Sequence, residues 1–245
     1  MGAATTCRPT AQIIHGDCLD VMRGMDAGSV DAIITDPPYG STRTTIGGAD
    51  GCFHDGKRSS AFGQWDIFDT QWLSVAARLL RVGGAVVAFC PEWGIGRMRD
   101  AAPAAHLRWR QVWYWHKSNP PMTFRGVLQF AVEPMSYMAK GPHRVEVENA
   151  GRAHNVFHFP LPTDPARRWH PNQKPVDLMR HIVRLVAHSG GTILDPFCGS
   201  GSTLVAAAME GFDSVGIDAD AHYCDIARRR AYAAAQPRLA LGGEQ

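Results

Sequence analysis

Short apolar runs bounded by polar residues and glycines recur along the chain and alternate with amphipathic segments. Val30-Asp31-Ala32-Ile33-Ile34-Thr35, Ala85 to Phe89, Thr192-Ile193-Leu194 and Ser214-Val215-Gly216-Ile217 have strand rather than helix length and read as buried strands. Gln12 to His15 is a further short strand. Leu107 to Lys117, rich in tryptophan, predicts another, with Glu133 to Lys140 as its antiparallel neighbour. Between them the period changes. A short helix starts at Leu19 and runs to Met22. Asp69 caps a helix to Arg81 that carries Trp72, Val75, Ala76, Leu79 and Leu80 on one face, and Gly83-Gly84 stops it. Residues 94–105 are helical with a break near Pro103. Pro175 opens a helix with Leu178, Met179, Ile182, Val183, Leu185 and Val186 turned inward, ended by Gly190-Gly191. Ser202 to Glu210 and an Asp220-capped segment reaching Ala235 complete the set. Alternating strands and helices predict an α/β fold with a mostly parallel sheet covered on both faces.

Three stretches break the pattern. Residues 40–64 are rich in Gly, Ser and Thr and predict a mobile loop; residues 118–126 and 141–170 are irregular, with many Pro, His and Arg. The 245 residues, 45% hydrophobic and 20% charged, suit one large domain. No apolar run reaches membrane-spanning length, and the amino terminus lacks the apolar segment of a signal peptide. The six cysteines form no C-x-x-C pair, so a zinc framework is not expected and a reduced, cytoplasmic protein is. His154 and His158 stand four apart without an evident third ligand, so no metal is expected. A formal net charge of +2 leaves any case for nucleic acid to the local distribution of cations.

Chemistry concentrates at two strand ends. The first is Asp36-Pro37-Pro38-Tyr39, after the Val30–Thr35 strand. A carboxylate and proline-flanked carbonyls are acceptors only, and proline adds no competing N–H. Such a cluster can hold the hydrogens of an exocyclic amino group while the aromatic face stacks on the base that bears it. Stacking needs the Tyr39 ring and not its hydroxyl. The second is Asp195-Pro196-Phe197-Cys198-Gly199-Ser200-Gly201-Ser202-Thr203, which joins a strand to a helix. Glycines there let the backbone approach a ligand, and the helix start offers free N–H groups. A dinucleotide site wants a third glycine, but position 204 is Leu. Asp218 ends the next strand, where an acid accepts from ribose hydroxyls. The combination fits an adenosine-containing ligand without a pyrophosphate.

With these motifs the chain resembles the β class of S-adenosylmethionine-dependent DNA amino-methyltransferases, in which D-P-P-Y precedes F-x-G-x-G. Asp36–Tyr39 comes first here and Phe197–Gly201 later, while His170-Pro171-Asn172-Gln173-Lys174-Pro175 matches the lead-in to the cofactor helix and Gly16-Asp17 the segment beside the cofactor adenine. The resemblance spans about residues 12–235. It implies one methyltransferase domain with target-recognition insertions at about 118–126 and 141–170, a seven-stranded doubly wound sheet, one strand antiparallel, and Asp17, Asp36, Asp195 and Asp218 at the same end. It places Leu107–Lys117 and Glu133–Lys140 near one edge.

The implied reaction is methylation of adenine N6 in double-stranded DNA, with the base flipped out and no metal. Asp36 and the Pro37 carbonyl hold the amino hydrogens, with Pro38 shaping the turn and Tyr39 stacking on the base. Asp195, Pro196, Phe197, Gly199, Gly201, Ser202 and Thr203 surround the methionine portion of S-adenosylmethionine. Asp218 holds its ribose, Asp17 and Cys18 flank its adenine, and Lys174 meets its carboxylate; Asp36 borders the same cofactor. DNA contacts are expected from Arg43, Lys57 and Arg58, from Lys117 and Arg125, and from Arg144, Arg152, Arg167 and Arg168. Arg228-Arg229-Arg230, late in a helix, is explained by the helix dipole. Seven tryptophans, several on an edge strand, and the habit of the class predict a homodimer. Cytosine N4 is the nearest alternative target, since both are amino groups beside a ring nitrogen; in the class a leading Asp, as here, leans toward adenine and a leading Ser toward cytosine. RNA or protein-glutamine methylation goes with the reverse motif order, and a non-catalytic relic would not need an intact Asp36, Tyr39, Phe197 and Asp218.

Overall fold

The computed structural model describes residues 8–39, 69–121, 128–147, 153–164, 166, 168–170, 172–188 and 190–236. The strands are β1 (Ala11–His15), β2 (Val30–Thr35), β3 (Leu80–Phe89), β4 (Arg108–Lys117), β5 (Val132–Ala139), β6 (Val156–Phe159), β7 (Thr192–Asp195) and β8 (Asp213–Asp218). The helices are α1 (Cys18–Gly24), α2 (Gln71–Leu79), α3 (Ile95–Ala101), α4 (Val176–Val186), α5 (Ser202–Met209) and α6 (Ala221–Ala235). One sheet runs in the order β1-β8-β7-β2-β3-β5-β4-β6. β5 is antiparallel to both its neighbours, and every other pairing is parallel.

The unbroken apolar character of β2 and β3 follows from burial on two faces. Ile33, Val86 and Ala88 pack with Trp72 and Leu73 of α2 and Met98 of α3. The alternate residues Ala32, Ile34, Val87 and Phe89 pack with Leu178, Ile182 and Val183 of α4. All of these strand residues are fully buried. A third cluster joins Ile13 and Leu204 to Cys224 and Ala227 of α6.

Three features differ from the pattern reading. The helix expected to reach Arg81 ends at Leu79, and β3 starts at once, running through Gly83-Gly84 rather than after it. Val30 faces Leu80 while Ala32 faces Ala85, so the first part of β3 bulges past Asp31. A Cβ on Gly84 would lie 2.6 Å from the Asp31 carbonyl oxygen, and Gly83 has φ +88°, so the pair serves the bulge and not a helix stop. The helix before Gly190-Gly191 likewise ends earlier, at Val186.

Among the described residues the sheet has eight strands rather than seven. β6 lies inside the stretch expected to be irregular, and four residues between Asn155 and Pro160 give too short a period to read. Because β6 pairs with β4, Trp113 and Trp115 are buried within the sheet and are not interface material on an exposed edge. His158 meets His116 across this pairing, Nδ1 to Nδ1 3.0 Å.

The connections decide which loops share an end of the sheet. Asp17, Asp36, Asp195 and Asp218 follow or close parallel strands and stand together at the carboxyl ends, as expected. β5 runs the other way, so the chain after it leaves from the opposite end. There Lys140 and His143 bond to the backbone of Gly83 and Gly84, and Arg144 lines a cleft with Asp31 and Arg81. The segment expected to act as one recognition insertion over residues 141–170 is therefore split. Only its part after β6 returns to the acidic end.

Candidate active site

β2 delivers Asp36 one residue beyond its last buried position, Thr35. The two prolines turn the chain so that Tyr39 folds back. Its hydroxyl donates to Asp36 Oδ1 at 2.6 Å and lies 3.1 Å from Glu133 Oε1. The hydroxyl thus has a partner of its own, which a purely stacking role for the ring does not anticipate.

Two cations from distant segments complete the cluster. The Lys174 ammonium stands 2.8 Å from Asp36 Oδ2 and 2.6 Å from Glu133 Oε1, and 4.7 Å from the centre of the Phe89 ring. Lys174 is only 8% exposed. Expected at a cofactor carboxylate, it is instead bound to the carboxylates of the Asp36 cluster. Lys117 ends β4 and reaches Glu133 Oε2 at 3.2 Å, with its ammonium 5.1 Å from the Trp115 ring centre. Its side chain is 14% exposed, and its charge is paired with Glu133.

Glu133 is the residue that the pattern reading missed. A lone glutamate at the start of an apolar strand has no local signature. Its place follows from the register that sets it opposite Trp115, with Lys117 beyond. Two carboxylates and two ammonium groups thus balance in a largely buried site, as buried charges must. Burial pushes the Asp36 carboxyl up, against the pull of Lys174. Burial would also raise Glu133, but Lys174 and Lys117 outweigh it and hold Glu133 at about 2. Burial works against the charge on Lys174, yet Asp36 and Glu133 keep its pKa above the ordinary lysine range. Burial, then the Asp36 charge, drives the Tyr39 hydroxyl well above the usual phenol value.

The turn after β7 is held differently. Asp195 is 3% exposed, and both its oxygens are engaged. Oδ1 accepts from the Thr35 hydroxyl at 2.7 Å and the Phe197 amide at 3.2 Å, and Oδ2 accepts from the Thr203 hydroxyl at 2.6 Å. Asp195 and Thr203 therefore shape the turn from beneath. Burial raises the Asp195 carboxyl to about 6, with the two hydroxyl bonds working against it. Asp218 holds the turn from the other side, accepting from Gly199 N at 2.8 Å and Asp220 N at 2.9 Å.

The two glycines differ in purpose. Gly199 has φ +49°, and a Cβ there would meet nothing, so its backbone borders open space. Gly201 has φ +81°, and a Cβ would press on Ala227 at 2.9 Å, so it serves the packing of α5 on α6. Arg230 donates to the Ser200 carbonyl at 2.5 Å and its hydroxyl at 3.0 Å. That contact, rather than the helix dipole, accounts for this arginine. Phe197 stands edge-on to Trp72 with ring centres 5.7 Å apart, and the buried Ser202 hydroxyl has no partner among the described residues. Asp17 caps α1 through Oδ1, which accepts from Leu19 N at 2.9 Å and Asp20 N at 3.1 Å. The neighbouring Cys18 thiol is pushed up to about 11 by burial and by Asp17.

A family model described as DNA methylase matches residues 30–229. The chain belongs to the DNA methylase family. This methylase is 27% identical over 237 residues to the type II methyltransferase M2.DpnII of Streptococcus pneumoniae, covering 89% of this chain and 88% of that one. Its fold is similar to that of M1.HpyAVI, solved as a complex with SAM, with a TM-score of 0.70 and 23% identity over 90% of this chain and 98% of the other. The cytosine-N4-specific PvuII DNA methyltransferase matches at a TM-score of 0.67 and 13% identity, over 91% and 88% of the two chains.

Of the cations expected at DNA, Arg168 belongs to the segment that returns to the acidic end, whereas Arg144 lies at the far end of the sheet. Arg43, Lys57, Arg58, Arg125, Arg152 and Arg167 fall outside the described residues, as does the loop expected at 40–64.

Proposed function

We propose that this methylase transfers a methyl group from S-adenosylmethionine to the N6 amino group of adenine in a specific sequence of double-stranded DNA. The observation that carries the adenine reading is an aspartate, Asp36, leading the tetrad at the acidic end of the sheet, with the Pro37 carbonyl beside it. Together they supply acceptors for both hydrogens of the target amino group. Tyr39 offers the stacking face, and the base reaches it by flipping out of the duplex. The bound cofactor supplies an electrophilic methyl group. Asp36 orients the amino nitrogen and receives the proton it sheds, directly or through water.

The residues present fit such a cofactor. The open side of Gly199, the unpartnered Ser202 hydroxyl and the first-turn amides of α5 face one portion of it. Asp218 keeps a lone pair on each oxygen for ribose hydroxyls, and Asp17 and Cys18 border the adenine. Arg168 contributes to holding the DNA backbone.

The second reading is cytosine N4, favoured by the shared fold with the cytosine-N4-specific PvuII enzyme. Mass spectrometry of nucleosides from treated duplex DNA decides between them. N6-methyladenine is expected; N4-methylcytosine alone rejects the adenine reading and leaves the family membership intact. A homodimer, as the class predicts, is tested by light scattering at micromolar concentration, where the mass of one chain rejects it.

A further inference from the structure

The Asp36 cluster holds more charge than binding one amino group requires. Lys117, Glu133, Lys174 and Asp36 form a row of alternating sign that crosses from β4 over β5 to the end of β2. Burying such a row is costly, and apolar residues of similar volume are often as stable or more so. Its members also interlock. The single Tyr39 hydrogen goes to the nearer acceptor, Asp36 Oδ1, while Lys174 occupies Oδ2, so both oxygens of Asp36 are gripped. Glu133 lies within reach of both gripping groups, and its other oxygen is anchored by Lys117.

We propose that Glu133 and Lys174 are positioning residues that fix the orientation of the Asp36 carboxylate and keep it in its charged, hydrogen-accepting form. This rests on the reading of Asp36 as the group that meets the target amino nitrogen. A protonated Asp36 would present a donor to that amino group and could not receive its proton. Without Lys174, Asp36 would lose the one ammonium group in contact with it while keeping Glu133 nearby, and would bind a proton more readily. Burial already pushes Asp36 toward protonation, and Lys174 is the opposing charge in contact with it.

Other ionisable groups face Asp36 as well. Tyr39 is on its own segment, Cys90 follows β3, and Asp195 closes β7. His170, from the segment before α4, lies between the fields of Asp36 and Asp218. Among these groups Lys174 alone stays cationic through the neutral range, since its pKa is raised while burial lowers that of His170.

The test compares Lys174→Met, Glu133→Gln and the double variant by single-turnover methylation across pH. In parallel, carboxyl carbon NMR on isotopically labelled protein follows the Asp36 titration without turnover. Lys174→Met should move the acid limb and the Asp36 titration up by one pH unit or more, with rates below the limb falling about tenfold for each unit. Glu133→Gln should move both down, and the double variant should return toward wild type. The Gln variant, nearly isosteric, carries the test with opposite sign if the Met variant does not fold. Calorimetric binding of S-adenosylmethionine should stay within about twofold. Unmoved titrations, additive losses in the double variant, or weakened cofactor binding as the sole effect of Lys174→Met would overturn the proposal. Titrations that move as described in a protein that methylates no DNA base would instead support the positioning role and remove the proposed function.

Discussion

β2 and β7 are neighbours in the sheet, and an acid stands at or just beyond the end of each, but the two acids are held by opposite means. Asp36 sits among charges brought from β4, β5 and the segment before α4. Asp195 sits among neutral donors, two hydroxyls and an amide, of which two come from within eight residues of it. Thr35, adjacent to Asp36, donates to Asp195 and so ties the two ends together. The difference fits what the proposed function asks of each carboxylate. A group that meets substrate and exchanges a proton benefits from nearby charges that set its protonation. A group that shapes a turn needs only its lone pairs filled, and hydroxyl and amide donors do so without further buried charge.

The largest separation of the two regions should come from Asp36→Ala. Turnover is expected to fall by about 10²–10⁴-fold, the usual span for losing a general acid–base group. Calorimetric cofactor binding should be nearly unchanged, because the β7 turn does not depend on Asp36. Cofactor affinity falling in parallel with turnover would merge the two regions.

The two buried acids should also give stability profiles of opposite slope. Burial raises Asp195 in the fold to about 6, above the ordinary carboxyl value of 3.8. Its contribution is complete below the unfolded value and is lost as pH rises through 6. Lys174 and Lys117 depress Glu133 in the fold to about 2 against the effect of burial, below the ordinary carboxyl value of 4.5. Its contribution is present above the unfolded value and is lost as pH falls through 2. Urea unfolding of wild type against Asp195→Asn should show the wild-type advantage shrinking between pH 4 and 6, by at most about 3 kcal/mol. Against Glu133→Gln the advantage should shrink as pH falls from about 4.5 toward 2. Slopes of the same sign would mean that the two acids are not held differently.

The smallest effect belongs to Tyr39→Phe, which keeps the ring and removes the bond to Asp36. A loss of about 1 kcal/mol, roughly fivefold in turnover, is expected for one net hydrogen bond. Stopped single-turnover assays resolve a change of this size. No change would mean that Lys174 alone suffices to hold Asp36.

The pattern of apolar runs located nearly every element, because strands buried on two faces and helices with one apolar stripe leave strong local periods. It failed at Gly83-Gly84, where a glycine pair admits either a helix stop or a bulge, and only the approach of Asp31 decides. It failed at β6, which is held by pairing with β4 rather than by any period of its own. The motif ends of the site, Asp36 to Tyr39 and Asp195 to Thr203, were legible because their chemistry is written in consecutive residues. Glu133, Lys117 and the true partners of Lys174 were not, since nothing within a few residues marks a glutamate or a lysine as buried.

The strand and helix alternation, the order of the two motifs, and the acids at four strand ends can all be read along the chain. Those depend on local periodicity and on residues adjacent in the chain. Tertiary structure alone decided that Lys174 and Lys117 face Glu133, that Arg144 lies at the far end of the sheet, and that Asp195 supports its turn with both oxygens already filled. Each of these depends on which strand runs antiparallel and on the register between strands far apart in the chain. Such contacts are set by the packing of the whole sheet, and no short stretch of residues records them.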